Sequence, residues 1–156
     1  MKKETKRDII IYGSIILAII LIRTFVVTPV RVNGTSMYST LHDGEIMILN
    51  KLDYKFSSIE RFDIVVVNTG DRKIIKRVIG LPGENIRYND NSLYVNDKKV
   101  EEAYLNDKTE DFDIAELGYN RIPNDCYFVL GDNRDNSSDS RIIGCVKKSQ
   151  IEGSAS

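Results

Sequence analysis

Histidine and cysteine are scarce in this chain: its 156 residues hold one histidine, His42, and two cysteines, Cys126 and Cys145. That is too few for a zinc site built from His and Cys. It also leaves a single candidate for any Ser/His or Cys/His dyad, which removes much of the usual hydrolase chemistry. Excess charge is missing too, since 22 basic against 23 acidic side chains leave a net charge of −1. A nucleic-acid binder that relies on a general basic field looks different. Long helical periodicity, low-complexity segments and internal repeats are also lacking, and the length fits one domain with a short appendage.

What charge asymmetry exists lies at the start. Residues 1–7 carry Lys2, Lys3, Lys6 and Arg7 against Glu4, a local +3, so the rest of the chain sums to −4. Ile9 to Ile22 then runs 14 residues without a charge, about 21 Å of helix against a bilayer core of about 30 Å. Arg23 interrupts the run, but a long arginine stem at a helix end carries its guanidinium to the interface. Counting on to Val27 gives 19 residues and about 28 Å, enough to span. A cleavable signal peptide shares the basic start and the apolar run. It wants small residues at the third and first positions before the cut, however, and Ala18 is the only alanine here. The expectation is an uncleaved anchor over residues 9–27. Basic residues stay cytoplasmic, which puts residues 1–8 inside and 28–156 outside the cell membrane.

The working part shows short apolar or alternating runs divided by turn signals, the pattern of a mostly β, antiparallel domain. Val27–Asn33, Glu45–Lys51, Asp63–Asn68, Lys73–Ile79, Asn85–Tyr88, Ser92–Val95 and Cys126–Leu130 read as strands. Thr69-Gly70-Asp71-Arg72 suits a hairpin. Residues 101–121 read as a polar, irregular excursion.

Three segments carry chemistry. In Asn33-Gly34-Thr35-Ser36-Met37-Tyr38-Ser39-Thr40-Leu41 the serine is either an N-cap after a glycine turn or an exposed nucleophile whose own N–H serves an oxyanion. In Lys76-Arg77-Val78-Ile79-Gly80-Leu81-Pro82-Gly83-Glu84, strand alternation sends Lys76 and Arg77 to opposite faces. Either one of them points inward, or the charges protect an edge strand. Gly131 to Arg141 (GDNRDNSSDSR) has no apolar side chain. As a calcium loop it fails, because Arg134 falls on a ligand position and Ser137 where glycine is required. Two arginines among three aspartates point instead to a self-neutralising network. No metal is called for.

The order G-x-SM-x-x-TL, KRVIGLPG, GDNRDNSSDSR behind one N-terminal anchor closely resembles the bacterial type I signal peptidases, Gram-positive-like branch, from the anchor to about residue 152. The resemblance implies antiparallel β-sheets with a shallow cleft, a cofactor-free Ser/Lys dyad of Ser36 and Lys76, and Met37 in the substrate site. It implies that Ser137 hydrogen-bonds the lysine, and that Asp132 with Arg77 and Asp139 with Arg141 are charge-paired supports. The implied partners are the lipid bilayer and signal peptides of exported preproteins, cut after small-x-small and held between residues 27–33 and 74–80. Lys76 must be depressed from a reference pKa of about 10.4 to act as a base, and apolar Ile74, Ile75, Val78 and Ile79 offer that burial. His42 is not needed and reads as a surface turn residue.

Several positions depart from the family pattern. Gly34 stands where some relatives have a hydroxyl that helps the oxyanion, Ser39 replaces a frequent proline, Glu84 an aspartate, and Ile142-Ile143 an aromatic. The chain stops at Ser156 where relatives continue with an aromatic-rich closing strand, so an unpaired edge is expected. An alternative follows: an inactive, membrane-anchored relative that binds signal peptides without cutting. Another Ser/Lys peptidase, such as the self-cleaving repressors, is disfavoured by the anchor. A Cys126–Cys145 disulfide is allowed by compartment, with two free thiols as the other reading.

Overall fold

The computed structural model describes residues 3–155. Helix α1 (Lys3–Phe25) leads through one residue into β1 (Val27–Arg31). Strands β2 (Ile46–Asn50), β3 (Ile64–Asn68), β4 (Lys73–Gly80), β5 (Ile86–Asn89), β6 (Ser92–Val95) and β7 (Lys98–Val100) follow, with the short helix α2 (Asp53–Phe56) after β2. Next come β8 (Phe112–Asp113), β9 (Cys126–Leu130), helix α3 (Ser140–Ile143), β10 (Val146–Lys147) and β11 (Ile151–Ala155). They form a seven-stranded sheet, ordered β1-β2-β11-β3-β4-β9-β10, and a four-stranded sheet, β7-β6-β5-β8. Every strand pairing is antiparallel.

Turn chemistry explains the smaller sheet. Asp90-Asn91 and Asn96-Asp97 all take positive φ, between 48° and 64°, which a two-residue turn of matching twist demands and Asn and Asp tolerate. They join β5 to β6 and β6 to β7 in tight register, Asn89 opposite Ser92 and Val95 opposite Lys98. The expected β3–β4 hairpin forms, closed by the Thr69 N–H on the Arg72 carbonyl at 3.0 Å. Ile79, Ile86, Tyr88, Leu93, Ile114, Ile122, Phe128 and Leu130 bury themselves in one core between the sheets. The excursion is more regular than expected, holding β8 and a 3-10 turn at Ile114–Leu117 whose N-cap Asp113 accepts from the Ala115 N–H.

Two expectations are met only in part. A strand does form at the C-terminal end, without the aromatic residues expected of a closing strand: β11 lies between β2 and β3, pairing Ser154 with Asn50 and Val65. Gly153 makes this possible, since a Cβ there would collide with the Asn50 carbonyl. Among the described residues only Asn50 and Leu49 of β2 pair with β11, so the expected unpaired edge is filled only in part. The anchor is helical, and Ile9 to Ile22 are exposed along it, yet among the described residues no helix is long and apolar enough to cross a membrane. Lys6, Arg7 and Asp8 stand before the uncharged run and Arg23 follows it. Lys2 of the basic cluster lies outside the described residues.

Candidate active site

Three segments converge beside β4. Ser36 lies in the turn after β1, where Gly34 takes φ +92°. A left-handed backbone favours glycine, which gives a physical reason for the missing hydroxyl at that position. Gly34 N–H is fixed by Asp43 Oδ1 at 2.7 Å, and the Thr40 and Leu41 N–H groups close the next turn on the Met37 carbonyl at 2.9 and 2.8 Å. β3 and β9 cover the edges of β4, and its successive residues from Lys76 to Gly80 are all buried, so both faces of its C-terminal half are covered. Lys76 and Arg77 are both buried in consequence, at 3% and 7% exposure. The expectation that only one points inward is replaced by two cations, each with its own partner.

Lys76 Nζ donates to Ser36 Oγ at 2.7 Å and to the Ile75 carbonyl at 3.0 Å. Burial lowers the Lys76 pKa to about 8; Asp139 and Asp132 pull it up, and Arg72 pushes it down. Arg77 grips Asp132 with two bonds, Nε to Oδ1 at 2.9 Å and Nη2 to Oδ2 at 2.6 Å, and donates to the Phe62 carbonyl at 2.9 Å. Thr40 Oγ1 adds a bond to the same carboxylate at 2.5 Å. A fully paired carboxylate of this kind keeps a buried guanidinium from standing uncompensated.

The segment after β9 seats the nucleophile turn. Asn133 N–H donates to the Ser36 carbonyl at 3.0 Å, Asn133 Nδ2 to the Thr35 carbonyl at 3.0 Å, and Asn136 Nδ2 to Thr35 Oγ1 at 3.0 Å. The approach is so close that a Cβ on Gly131 would collide with the Ser36 carbonyl and Ser137 Oγ. Asp139, wholly buried, caps α3 and takes Arg141 Nε and Nη2 at 3.0 and 2.9 Å and the Gly131 N–H at 3.1 Å. Ser137 departs from expectation: its buried Oγ has no hydrogen-bond partner, and the lysine's bonds go to Ser36 and Ile75. Nor is the loop self-neutralising throughout, because Arg134 pairs with Glu102 of the excursion at 2.7 Å. Sequence reading missed Glu102, Thr40, Asn133, Asn136 and Arg72; an arginine in an apolar-free run was the one local signal for a buried partner.

Ser36 and Lys76 line a groove of about 840 Å³ with Thr28 to Asn33 on one side and Arg72 to Ile75 on the other. Met37, expected to contact substrate, lies at 1% exposure in a core cluster with Val32, Leu41, Leu49 and Val66, beneath the groove it helps to line. His42 is exposed and pairs with Glu45 at 3.2 Å. Both cysteines are free thiols, and Cys126 is buried.

Fold and site define a β-rich protein with a serine hydroxyl set against a buried amine in an open groove, the parts of a serine hydrolase without histidine. Comparison with known proteins narrows this. The family described as "Signal peptidase, peptidase S26" matches residues 6–156. Signal peptidase I of Bacillus caldolyticus is 46% identical over 85% of this chain and 79% of its own. Signal peptidase I T of Bacillus subtilis is 39% identical over 99% of this chain and 86% of its own. Signal peptidase IB of Staphylococcus aureus is 37% identical over 100% of this chain and 90% of its own. The crystal structure of a signal peptidase I from Enterococcus faecalis superposes with a TM-score of 0.59 at 37% identity, covering 63% of this chain and 97% of that one. The chain belongs to the signal peptidase family, peptidase S26, and is a serine endopeptidase.

Proposed function

We propose that this chain removes N-terminal signal peptides from exported preproteins, cutting after a small-x-small sequence through an acyl-enzyme on Ser36 with Lys76 as the base. The observation that carries the reading is the 2.7 Å contact between Ser36 Oγ and a Lys76 amine at 3% exposure. With a pKa of about 8, roughly a tenth of Lys76 is neutral at pH 7, against about one part in three thousand at the ordinary value. Neutral Lys76 keeps one N–H on the Ile75 carbonyl and accepts the Ser36 proton as Oγ attacks the scissile carbonyl. The Ser36 N–H, which has no acceptor among the described residues, is available to the oxyanion. The ammonium then protonates the leaving amine, and in the second half Lys76 activates the water that frees the acyl group. Asp132 with Arg77, and Asp139 with Arg141, hold the walls of the site.

Topology supports an extended substrate. β1 is an edge strand, and Pro29 within it is tolerated only at an edge. The Lys73–Lys76 half of β4 has one side unpaired, since β9 pairs with β4 only from Arg77 onward. A peptide between these edges is held by backbone bonds, with alternate side chains entering the groove. We further assign α1 to the cell membrane as a single-pass anchor, its basic start cytoplasmic and the catalytic domain outside. One residue separates its end from β1, so the groove wall sits at the membrane surface. The inactive-binder reading leaned on a missing closing strand, and β11 occupies part of that place. The test is cleavage of an Ala-x-Ala preprotein by the detergent-solubilised chain beside Ser36→Ala and Lys76→Ala. Cutting at that site by the parent alone is expected, and cutting by either variant at the parent's rate refutes the dyad.

A further inference from the structure

The excursion after β7 touches every segment of the site. Asn106 Nδ2 donates to Ser39 Oγ in the nucleophile turn at 3.3 Å. The Tyr104 ring packs under the Arg77 guanidinium, 3.9 Å from its centroid. Arg134, in the segment after β9, has a side chain with 0% exposure that reaches into the excursion. Its Nη2 donates to Glu102 Oε1 at 2.7 Å and Tyr104 Oη at 3.3 Å, and its Nη1 to Thr109 Oγ1 at 2.6 Å and Tyr88 Oη at 2.9 Å. Glu102 Oε1 also accepts from the Tyr88 and Tyr104 hydroxyls at 2.9 and 2.7 Å. The loop's own buried aspartates are committed elsewhere, Asp132 to Arg77 and Asp139 to Arg141. Among the described residues, the carboxylate that balances Arg134 is therefore Glu102.

Arg134 in turn organises the loop that seats the dyad. Its Nε donates to the Gly131 carbonyl at 3.0 Å, and its own carbonyl accepts from Arg141 Nη2 at 2.7 Å. Two residues from Gly131, the Asn133 N–H holds the Ser36 carbonyl. Losing Glu102 leaves a buried guanidinium without its anion, a state costly enough to drag Arg134 toward water. That motion pulls on Gly131 and Arg141 together, and so on the turn beneath Ser36.

We propose that Glu102, which lies outside the three segments that carry the chemistry, is a positioning residue for the peptidase site, acting through Arg134 to hold the Gly131–Asp139 loop against Ser36 and Lys76. The inference rests on the Ser/Lys reading above. Its test therefore includes a measurement that needs no substrate: titration of the Lys76 amine by NMR with 13C-labelled lysine, the signal assigned by its loss in Lys76→Met. The charged groups that act on Lys76 are Asp139 and Asp132 from the loop and Arg72 from the β3–β4 turn. Glu102 is not among them. Deleting a carboxylate through space lowers a lysine pKa, whereas loosening the loop admits water and raises it, so the sign separates the two.

In Glu102→Ala the Lys76 midpoint is expected to rise by about one unit from about 8. With it, kcat on the preprotein falls about tenfold or more at pH 7 while KM stays within about twofold. Glu102→Gln, which keeps an acceptor for Arg134 and the tyrosines, recovers part of both. An unchanged or lowered midpoint in folded Glu102→Ala overturns the proposal. Should that variant fail to fold, Thr109→Val removes one Arg134 bond and leaves the ion pair; a rise of the same sign supports the proposal, and none overturns it. A parent that leaves the preprotein uncut refutes the proposed substrate, and the titration still decides the role of Glu102.

Discussion

Replacing Lys76 by methionine should make the protein more stable, and by an amount that depends on pH. The side chain is 3% exposed, and its pKa falls from 10.5 in the free state to about 8 in the fold. Below pH 8 the amine is protonated in both states, and the folded chain bears the whole cost of a buried ammonium. At about 1.4 kcal/mol per unit the shift amounts to about 3 kcal/mol of lost stability. Between pH 8 and 10.5 the unfolded chain binds the proton and the folded one does not, so stability climbs with pH and the penalty fades. Methionine, of similar reach and uncharged, never carries that cost. It does forfeit the bonds to Ser36 and the Ile75 carbonyl, each worth about 0.5–1.5 kcal/mol, but that loss varies little with pH. The stability gain of Lys76→Met over the parent should accordingly shrink by about 3 kcal/mol between pH 7 and about pH 10.5. Urea unfolding of both proteins in one detergent, at equal m values, measures it. A gain that is flat across this range would mean that the fold does not depress the lysine, and the case for Lys76 as the base would fall with it.

The same depression sets the rate. Below a pKa of about 8, kcat/KM for preprotein cleavage should rise about tenfold per pH unit and then level off; a profile still climbing toward pH 10 would refute a neutral amine of that pKa. Asp132→Ala strands Arg77 at 7% exposure and should cost about 3–5 kcal/mol, seen as an early thermal transition. Arg77→Met combined with Asp132→Leu should restore much of that stability without restoring activity, and a double variant as unstable as the single one would contradict the pairing.

How much of this was legible in the sequence divides by the range of the cause. The seven expected strands are all present, Ser92–Val95 and Cys126–Leu130 with the expected ends and the others with shifted ones, because period-2 apolar runs and Asn-Asp turns are local signals. β11 escaped notice for the opposite reason: Ile-Glu-Gly-Ser-Ala has one β-branched residue and a glycine, and as an isolated segment it has little β preference. It becomes a strand because β2 and β3 present two open edges to it and Asn50 leaves room for no side chain at Gly153. The site divides in the same way. Glycine at position 34 and the two adjacent cations are visible in one dimension. Their meeting with Ser36 and Asp132 was available only through the resemblance, since 40 and 55 residues separate the partners.

Opposite faces for Lys76 and Arg77 led to the expectation of one buried cation, which holds for a sheet wet on one side. Here the excursion covers the other face, with the Arg77 guanidinium over the Tyr104 ring. A third buried cation stands beside them: Arg134 reaches a carboxylate 32 residues away, in the excursion after β7. A loop written almost wholly in polar residues thus has two guanidinium anchors, and only the Arg141–Asp139 one closes within the loop. Local sequence reading sees the polarity and infers solvent. The three-dimensional result is a loop whose charges are spent on neighbours, so that Lys76 has the least compensation of the three buried cations, itself, Arg77 and Arg134, and a base is what an uncompensated buried amine becomes.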